Sequence, residues 1–385
     1  MTNPDADPDG VPGPFHLPQA IRRCRRCTLP VDPAIVGRHV IVDRDGTCNF
    51  CRAHDRRFGR AAAPPSSKKR LDREIERAMR LARKRRYDAL VPISGGKDSL
   101  TVLHYLRTNY PDLRILAVTC HNGFHSEVAM EACVSIARQL GVEHRVWRPP
   151  HMIDLARLFL QRTGHFCAPC EVDMMNMGHR LTLAEGIPIA VLGTSRRYDG
   201  AQPEVANPWS PPFFEAVLRG VPGAEELRRD VCDPGLMVRA GWRNLTGRLG
   251  MLLLPDFIDW NAQENRETLA SRYGIVIGGE HSDCLGAPVA DWLYKRRCGY
   301  GQKAAGLAAS VRNGLLPRSE ALARLAAQDE FGQRFPEEAA REFLQRIGMT
   351  ADEVVACSSI RPDAYFNASF RVFGWIRKRL GLSVA

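Results

Sequence analysis

Nowhere in the 385 residues do apolar residues run to the roughly 18 needed to cross a bilayer. The opening stretch, Met1 to Pro14, is polar and rich in Asp, Pro and Gly, without the basic start and apolar core of an export signal. The expectation is a cytoplasmic chain with no membrane contact. Also missing are the Gly-x-x-x-x-Gly-Lys-Ser/Thr of a Walker A loop, the Gly-x-Gly-x-x-Gly of a dinucleotide turn, and any evident internal repeat. Acidic charge is short: 43 Asp and Glu face 54 Lys and Arg, a net +11. That surplus suits tRNA, but ATP or a nucleotide-linked sugar equally well, so charge alone selects no partner.

What is present is an ordinary globular composition, 44% hydrophobic and 25% charged, in a chain longer than one average domain. Residues 1–20 read as a disordered tail, 21–58 as a cysteine module, and 59–86 as a small-residue linker (Ala61 to Ser67) followed by a charged helix, about Lys68 to Arg86. Between 87 and 200, apolar strands (Tyr87 to Ile93, Arg114 to Cys120, His144 to Trp147, Ile187 to Leu192) alternate with helices (Ser99 to Arg107, Ser126 to Leu140). The alternation predicts an α/β fold with a parallel sheet, whose ligands sit at the carboxyl ends of its strands. The polar turns Ser94 to Ser99, His121-Asn122-Gly123 and Gly193-Thr194-Ser195 fall there. Residues 201–385 read as a mainly helical region, ending in an apolar-and-basic stretch from Phe370 to Leu382.

The turn Ser94-Gly95-Gly96-Lys97-Asp98-Ser99 follows the first strand and opens a helix. Paired glycines let backbone amides approach a phosphate, Lys97 adds positive charge, and Ser94 and Ser99 add hydroxyls. Asp98 beside phosphates calls for a bridging cation, naturally Mg²⁺. The string resembles the Ser-Gly-Gly-x-Asp-Ser signature of the PP-loop ATP pyrophosphatases, adenine nucleotide alpha hydrolase-like proteins that cleave ATP between its α and β phosphates. The resemblance implies ATP on residues 94–99, adenosine near Asn122 and Gly193, and Lys97 and Asp98 in catalysis.

Twelve cysteines without an export signal point to metal or redox chemistry. Cys24-x2-Cys27 and Cys48-x2-Cys51 fit a four-thiolate zinc ribbon, with Asp45-Gly46-Thr47 as the tight turn; about thirty residues would lean on the metal for folding energy. A third pair, Cys167 and Cys170, lacks local partners, and Cys284 is the candidate third ligand. Three thiolates would leave one iron of a 4Fe-4S cluster open. The alternatives are a second zinc site using His281 or His165, or a packed turn without metal. The set resembles that of the iron-sulfur-dependent tRNA thiolation enzymes, which would give Cys167 and Cys170 a catalytic role. Cys120, Cys133, Cys232, Cys298 and Cys357 read as core or surface residues.

Over most of the chain the order of short strings resembles the N-acetyl sugar amidotransferases of surface-polysaccharide synthesis. The strings are Cys24-Arg25-Arg26-Cys27-Thr28-Leu29-Pro30, Asp45 to Cys51, Asp256-Phe257-Ile258-Asp259-Trp260-Asn261, Gly299-Tyr300-Gly301 and Val311-Arg312-Asn313-Gly314. The resemblance implies adenylation of an acetamido oxygen on a nucleotide-linked sugar, then displacement of AMP by ammonia from a partner glutaminase. At Leu192 to Arg197 the chain departs from that family, which has a Gly-Glu pair there. The expected function is therefore ATP-dependent amidation; the alternative keeps the adenylation and brings in sulfur, with tRNA or a small molecule as acceptor. A homodimer is left open.

Overall fold

Five short parallel strands carry the fold: β1 (Ala89–Pro92), β2 (Ile115–Cys120), β3 (Glu143–Trp147), β4 (Ile189–Leu192) and β5 (Gly250–Leu253), in the order β3-β2-β1-β4-β5. This computed structural model describes residues 20–37, 39–59, 67–195, 197, 210–277, 283–327, 329–369, 371, 372 and 375. The expected tail and linker, and most of Phe370 to Leu382, lie outside the described residues.

Parallel strands covered on both faces must be apolar on both faces, and β1 and β2 are. Ala89 and Val91 with Ile115 and Ala117 face one layer, which includes Leu71, Ile75, Leu100, Leu103 and Ile136. Leu90 with Leu116 and Val118 face the other, against Met177 and Ile187. The first layer is built from helices Lys68–Leu81, Lys97–Asn109 and Glu127–Gln139; the second includes helix Cys167–Glu185. The charged helix thus ends at Leu81, short of the expected Arg86.

The α/β class, the parallel sheet and the helical C-terminal part are as expected. β5 was not: its four residues, Gly-Met-Leu-Leu, are an edge strand inside a stretch read as loops and helices. Because β1 lies beside β4 rather than β3, the connections leave these two neighbours in opposite directions. In such sheets the carboxyl ends of the strands at this reversal are the usual ligand position.

The N-terminal cysteine module is made of isolated bridges (Arg23 with Pro30, Val42 with Cys48) and two helices, Pro33–Val36 and Asn49–Phe58. It shares its core with the C-terminal helices: Leu29, Ile35 and Val36 pack with Tyr294, Tyr300, Ala304, Ala308 and Phe331. Arg23 pairs with Glu330 at 2.7 Å, and Arg318 donates to the carbonyls of Cys27 and Cys24 at 3.0 and 3.1 Å. The docking is closest at Gly299, whose φ is 73° and where a Cβ would come 2.0 Å from the Ile35 oxygen. We expect Gly299→Ala to lower the unfolding free energy by at least about 2 kcal/mol, through left-handed strain plus the clash. A urea midpoint equal to wild type would contradict this seating of the module.

Candidate functional site

The PP-loop leaves β1 and starts helix Lys97–Asn109, whose first turn has no side-chain cap. Its N-terminal amides and dipole therefore point toward the carboxyl edge of the sheet, as an anion site requires. Gly95 turns the chain with φ 83°, in a space where a Cβ would meet the Ala129 carbonyl oxygen at 2.5 Å. Ser99 braces the loop: its hydroxyl accepts from the Ser94 amide at 3.0 Å and donates to the Gly96 oxygen at 3.1 Å. The Ser94 hydroxyl accepts from the Gly96 amide at 3.3 Å. Lys97 Nζ reaches Asp98 Oδ2 at 3.0 Å, and Trp260 Nε1 donates to Asp98 Oδ1 at 3.3 Å. Gly193, at the end of β4, abuts the Asp98 backbone. Just beyond it Ser195 Oγ donates to Asp256 and accepts from the Arg197 amide at 3.1 Å.

Cys167 and Cys170 occupy the first turn of helix Cys167–Glu185 and are half-buried. Asn122, past the end of β2, donates through Nδ2 to Cys170 Sγ at 3.0 Å and accepts the Phe124 amide at 2.9 Å. Residues 283–285 pair antiparallel with 124–126: Ser126 N to Asp283 O at 3.1 Å, Leu285 N to Phe124 O at 2.8 Å, and a bridge between His125 and Cys284. That pairing sets the Asp283 carboxylate over Gly96 of the PP-loop and Cys284 within electrostatic reach of Cys167 and Cys170. Burial pushes the Cys170 thiol up to about 12 against the Asn122 hydrogen bond, and the Cys284 thiol up to about 11 against the amides of Gly286 and Ala287; Cys167 is also raised, chiefly by burial. N–H groups aimed at sulfur are what a cluster ligand receives, and a bound metal would hold such thiols deprotonated.

Among the described residues, the only His, Cys, Asp or Glu set with ligand atoms mutually within 4.8 Å is Cys24, Cys27, Cys48 and Cys51. Cys167, Cys170 and Cys284 therefore do not form a closed mononuclear site with His165; a cubane would hold its thiolates further apart than a single metal does. His281 lies outside the described residues. The four-cysteine set has zinc's dimensions: sulfurs about 2.3 Å from a central zinc define a tetrahedron with edges of roughly 3.8 Å, and Cys27–Cys48 and Cys24–Cys51 are 3.8 and 3.9 Å apart. All four are fully buried, and the Cys48 amide donates to Cys24 Sγ at 3.3 Å. Gly46 makes the expected turn, with the Thr47 amide bonded to Asp43 and Asp45. Of the other cysteines, Cys120, Cys133, Cys298 and Cys357 are buried and Cys232 is half-buried.

Sequence reasoning missed Trp260, Asp256, His125, Asp283 and Asp173. The first two stood inside a quoted string, and Asp283 stood beside Cys284; Asp173 carried no signal. Also missed was a seam in which buried Asn313 accepts Arg197 Nε at 2.6 Å and His54 Nε2 at 3.1 Å through Oδ1, and donates to Arg197 O at 3.0 Å.

The family described as LPS biosynthesis protein WbpG-like, C-terminal domain, matches residues 267–372. A search of curated proteins returns no match. Among solved structures, the U34-tRNA thiolase NcsA from Methanococcus maripaludis, with its [4Fe-4S] cluster, is similar at 15% identity and TM-score 0.33, over 86% of this chain and 90% of that one. The NH3-dependent NAD synthetase from Campylobacter jejuni subsp. jejuni NCTC 11168 is similar at 11% identity and TM-score 0.27, over 47% and 94%. At those scores neither likeness carries an argument about this chain.

Two measurements test these sites. Cys24→Ser or Cys48→Ser should reduce zinc, measured by elemental analysis, from one per chain to none and loosen the module; unchanged zinc would refute the assignment. Asp173 is fully buried against Cys120 Sγ, with Oδ1 unpartnered, and burial raises its pKa from 3.8 to about 6. A raised carboxyl favours folding while protonated, and that benefit is lost as pH climbs through about 6. Asp173→Asn should therefore be more stable than wild type by about 3 kcal/mol at pH 8 and gain nothing below pH 4, read from denaturation at both pH values. A difference independent of pH would exclude the ionised carboxylate as its source.

Proposed function

We propose that this chain binds ATP on residues 94–99, adenylates a carbonyl-type oxygen of a second substrate, and exchanges that oxygen for sulfur. The observation that carries the choice of sulfur is the gathering of Cys167, Cys170 and Cys284 at the same sheet edge as the PP-loop. The acceptor oxygen attacks the α-phosphorus and pyrophosphate leaves; sulfur then attacks the activated carbon, and AMP leaves with the original oxygen. The PP-loop amides and Lys97 would take up charge on the departing pyrophosphate, and Asp98, with Mg²⁺, would orient it. Trp260 Nε1 and Lys97 Nζ each donate to the Asp98 carboxylate, which would orient it toward a metal ion. A 4Fe-4S cluster on the three cysteines would offer an iron without a protein ligand to an incoming sulfide.

The second reading is amidation of a nucleotide-linked sugar with ammonia from a glutaminase partner. It is favoured by the WbpG-like match over residues 267–372. Anaerobic protein given Mg-ATP and candidate acceptors, with either sulfide or ammonium, separates the two by product mass and pyrophosphate release. The expected result is a sulfide-dependent product that disappears in Cys170→Ala and Cys284→Ala. An ammonium-dependent product indifferent to both changes would sink the sulfur reading and establish amidation, while ADP and orthophosphate as main products would sink the adenylation itself.

A further inference from the structure

Helix Pro234–Leu245 has two apolar sides, and only one of them meets the rest of the protein. Leu236 and Ala240 are buried, 1% and 4% exposed, where the helix lies on helix Cys167–Glu185. Val238, Trp242 and Leu245, spaced i, i+4 and i+7, form a second stripe, which the helical period sets on the far side of the axis. They are 71%, 67% and 83% exposed, and Met237 beside them is exposed too. An ordinary surface helix turns its apolar stripe inward and shows charge to water. The apolar surface continues past the helix end. Met251 on the edge strand β5 and Leu81, both exposed, line one cleft with Arg77, and Arg77 donates to the carbonyl of Gly247, two residues beyond Leu245, at 2.6 Å.

The charge around the stripe is of one sign. Pro234 to Pro255 contains three arginines and no Asp or Glu; Arg77 to Tyr87 contains six Lys and Arg and again no Asp or Glu. The fold brings the two stretches together. Arg85 lies against Gly186, just before β4, and Arg243 donates to the carbonyls of Thr182 and Arg248 at 3.1 and 3.2 Å. Burial, then repulsion from Arg85 and Arg248, lowers the pKa of Arg243. Arg77 has a carboxylate, Glu74, at 3.6 Å; among the described residues no ion pair involves Arg85, Arg239, Arg243 or Arg248.

A partner for this face must be apolar and anionic at once. A second copy would set the same cations against these, and a nucleic-acid backbone offers nothing for Val238 and Leu245 to enter. An anionic bilayer supplies both: headgroups for the arginines and, just beneath them, hydrocarbon for the stripe, with tryptophan at the boundary it favours. Side chains that stand this far out suit a fluid layer, which needs no preformed groove. We propose that helix Pro234–Leu245 docks the protein peripherally on an anionic lipid bilayer, with Val238, Trp242 and Leu245 entering below the headgroups and Arg85, Arg239, Arg243 and Arg248 lying among them. Such docking needs no long apolar run, the feature whose absence led to the expectation of no membrane contact, and no described helix is long and apolar enough to cross a membrane. The basic end of the patch lies at the amino ends of β4 and β5, the sheet edge opposite the PP-loop, so docking leaves residues 94–99 uncovered. The proposal is independent of the adenylating reading.

The test is flotation of the full-length, metal-replete protein with vesicles of phosphatidylcholine alone or mixed with phosphatidylglycerol, at low and high salt. Wild type should float with the anionic vesicles, and less so at high salt. Arg239→Gln and Arg248→Gln should each weaken binding about fivefold at low salt. The double variant Trp242→Ser, Leu245→Ser should lose binding while keeping the wild-type melting temperature, because both side chains are exposed. No flotation of wild type, equal binding to neutral and anionic vesicles, or unchanged binding by the double variant would each overturn the proposal. Self-association or binding of short RNA that depends on Trp242 and Leu245, without flotation, would assign the face to a second copy or to nucleic acid instead. Pyrophosphate release from ATP tests the adenylating reading separately, and its failure would leave the flotation result standing.

Discussion

The antiparallel pairing of residues 124–126 with 283–285 is the contact on which the site depends. Without it, Cys284 and Asp283 would have no reason to stand near a loop that precedes them by almost two hundred residues. With it, a carboxylate lies over Gly96 and a third sulfur approaches the Cys167 pair. The pairing is short, only a few backbone hydrogen bonds long. Helix Ala287–Cys298 anchors its C-terminal side, burying Val289 and Leu293 beside Phe124, Phe166 and Phe343.

A second organising element is the side chain of Asn313. Its amide joins the helix of the cysteine module to the segment after β4, and that segment continues through Ser195 to Asp256. Four residues beyond Asp256, Trp260 holds the carboxylate of Asp98. The cysteine module is therefore linked by successive hydrogen bonds and short chain segments to residues 94–99. Such a polar network is rigid only while every member is satisfied, so loss of one member disturbs the others.

Much of this was legible in the sequence because the signals were local. The turn at residues 94–99 is six consecutive residues after an apolar strand, and the four cysteines of the N-terminal module are two pairs at fixed spacing, so neither needs tertiary information. The four strands that were read are apolar on both faces or flanked by clear helices. β5 escaped because four residues between polar loops have no usable period, and its place beside β4 is a tertiary fact. Trp260 and Asn313 were visible only as members of resembling strings; their partners, Asp98 and Arg197, are more than one hundred residues away. Asn122 was expected beside adenosine, and the structure engages its amide with Cys170. That contact joins the ends of two elements and leaves no trace in spacing.

The shared core of the cysteine module also bears on how the chain is made. Cys24 to Cys51 leave the ribosome well before Tyr294, Tyr300 and Phe331, which share their core and follow about 240 to 310 residues later. At about 5–20 residues per second, the four thiols wait tens of seconds without their cover. Metal captured in that interval would both protect the sulfurs from oxidation and preserve the surface on which the last helices assemble. A metal on these thiols would then matter most during synthesis, before the last helices close over it.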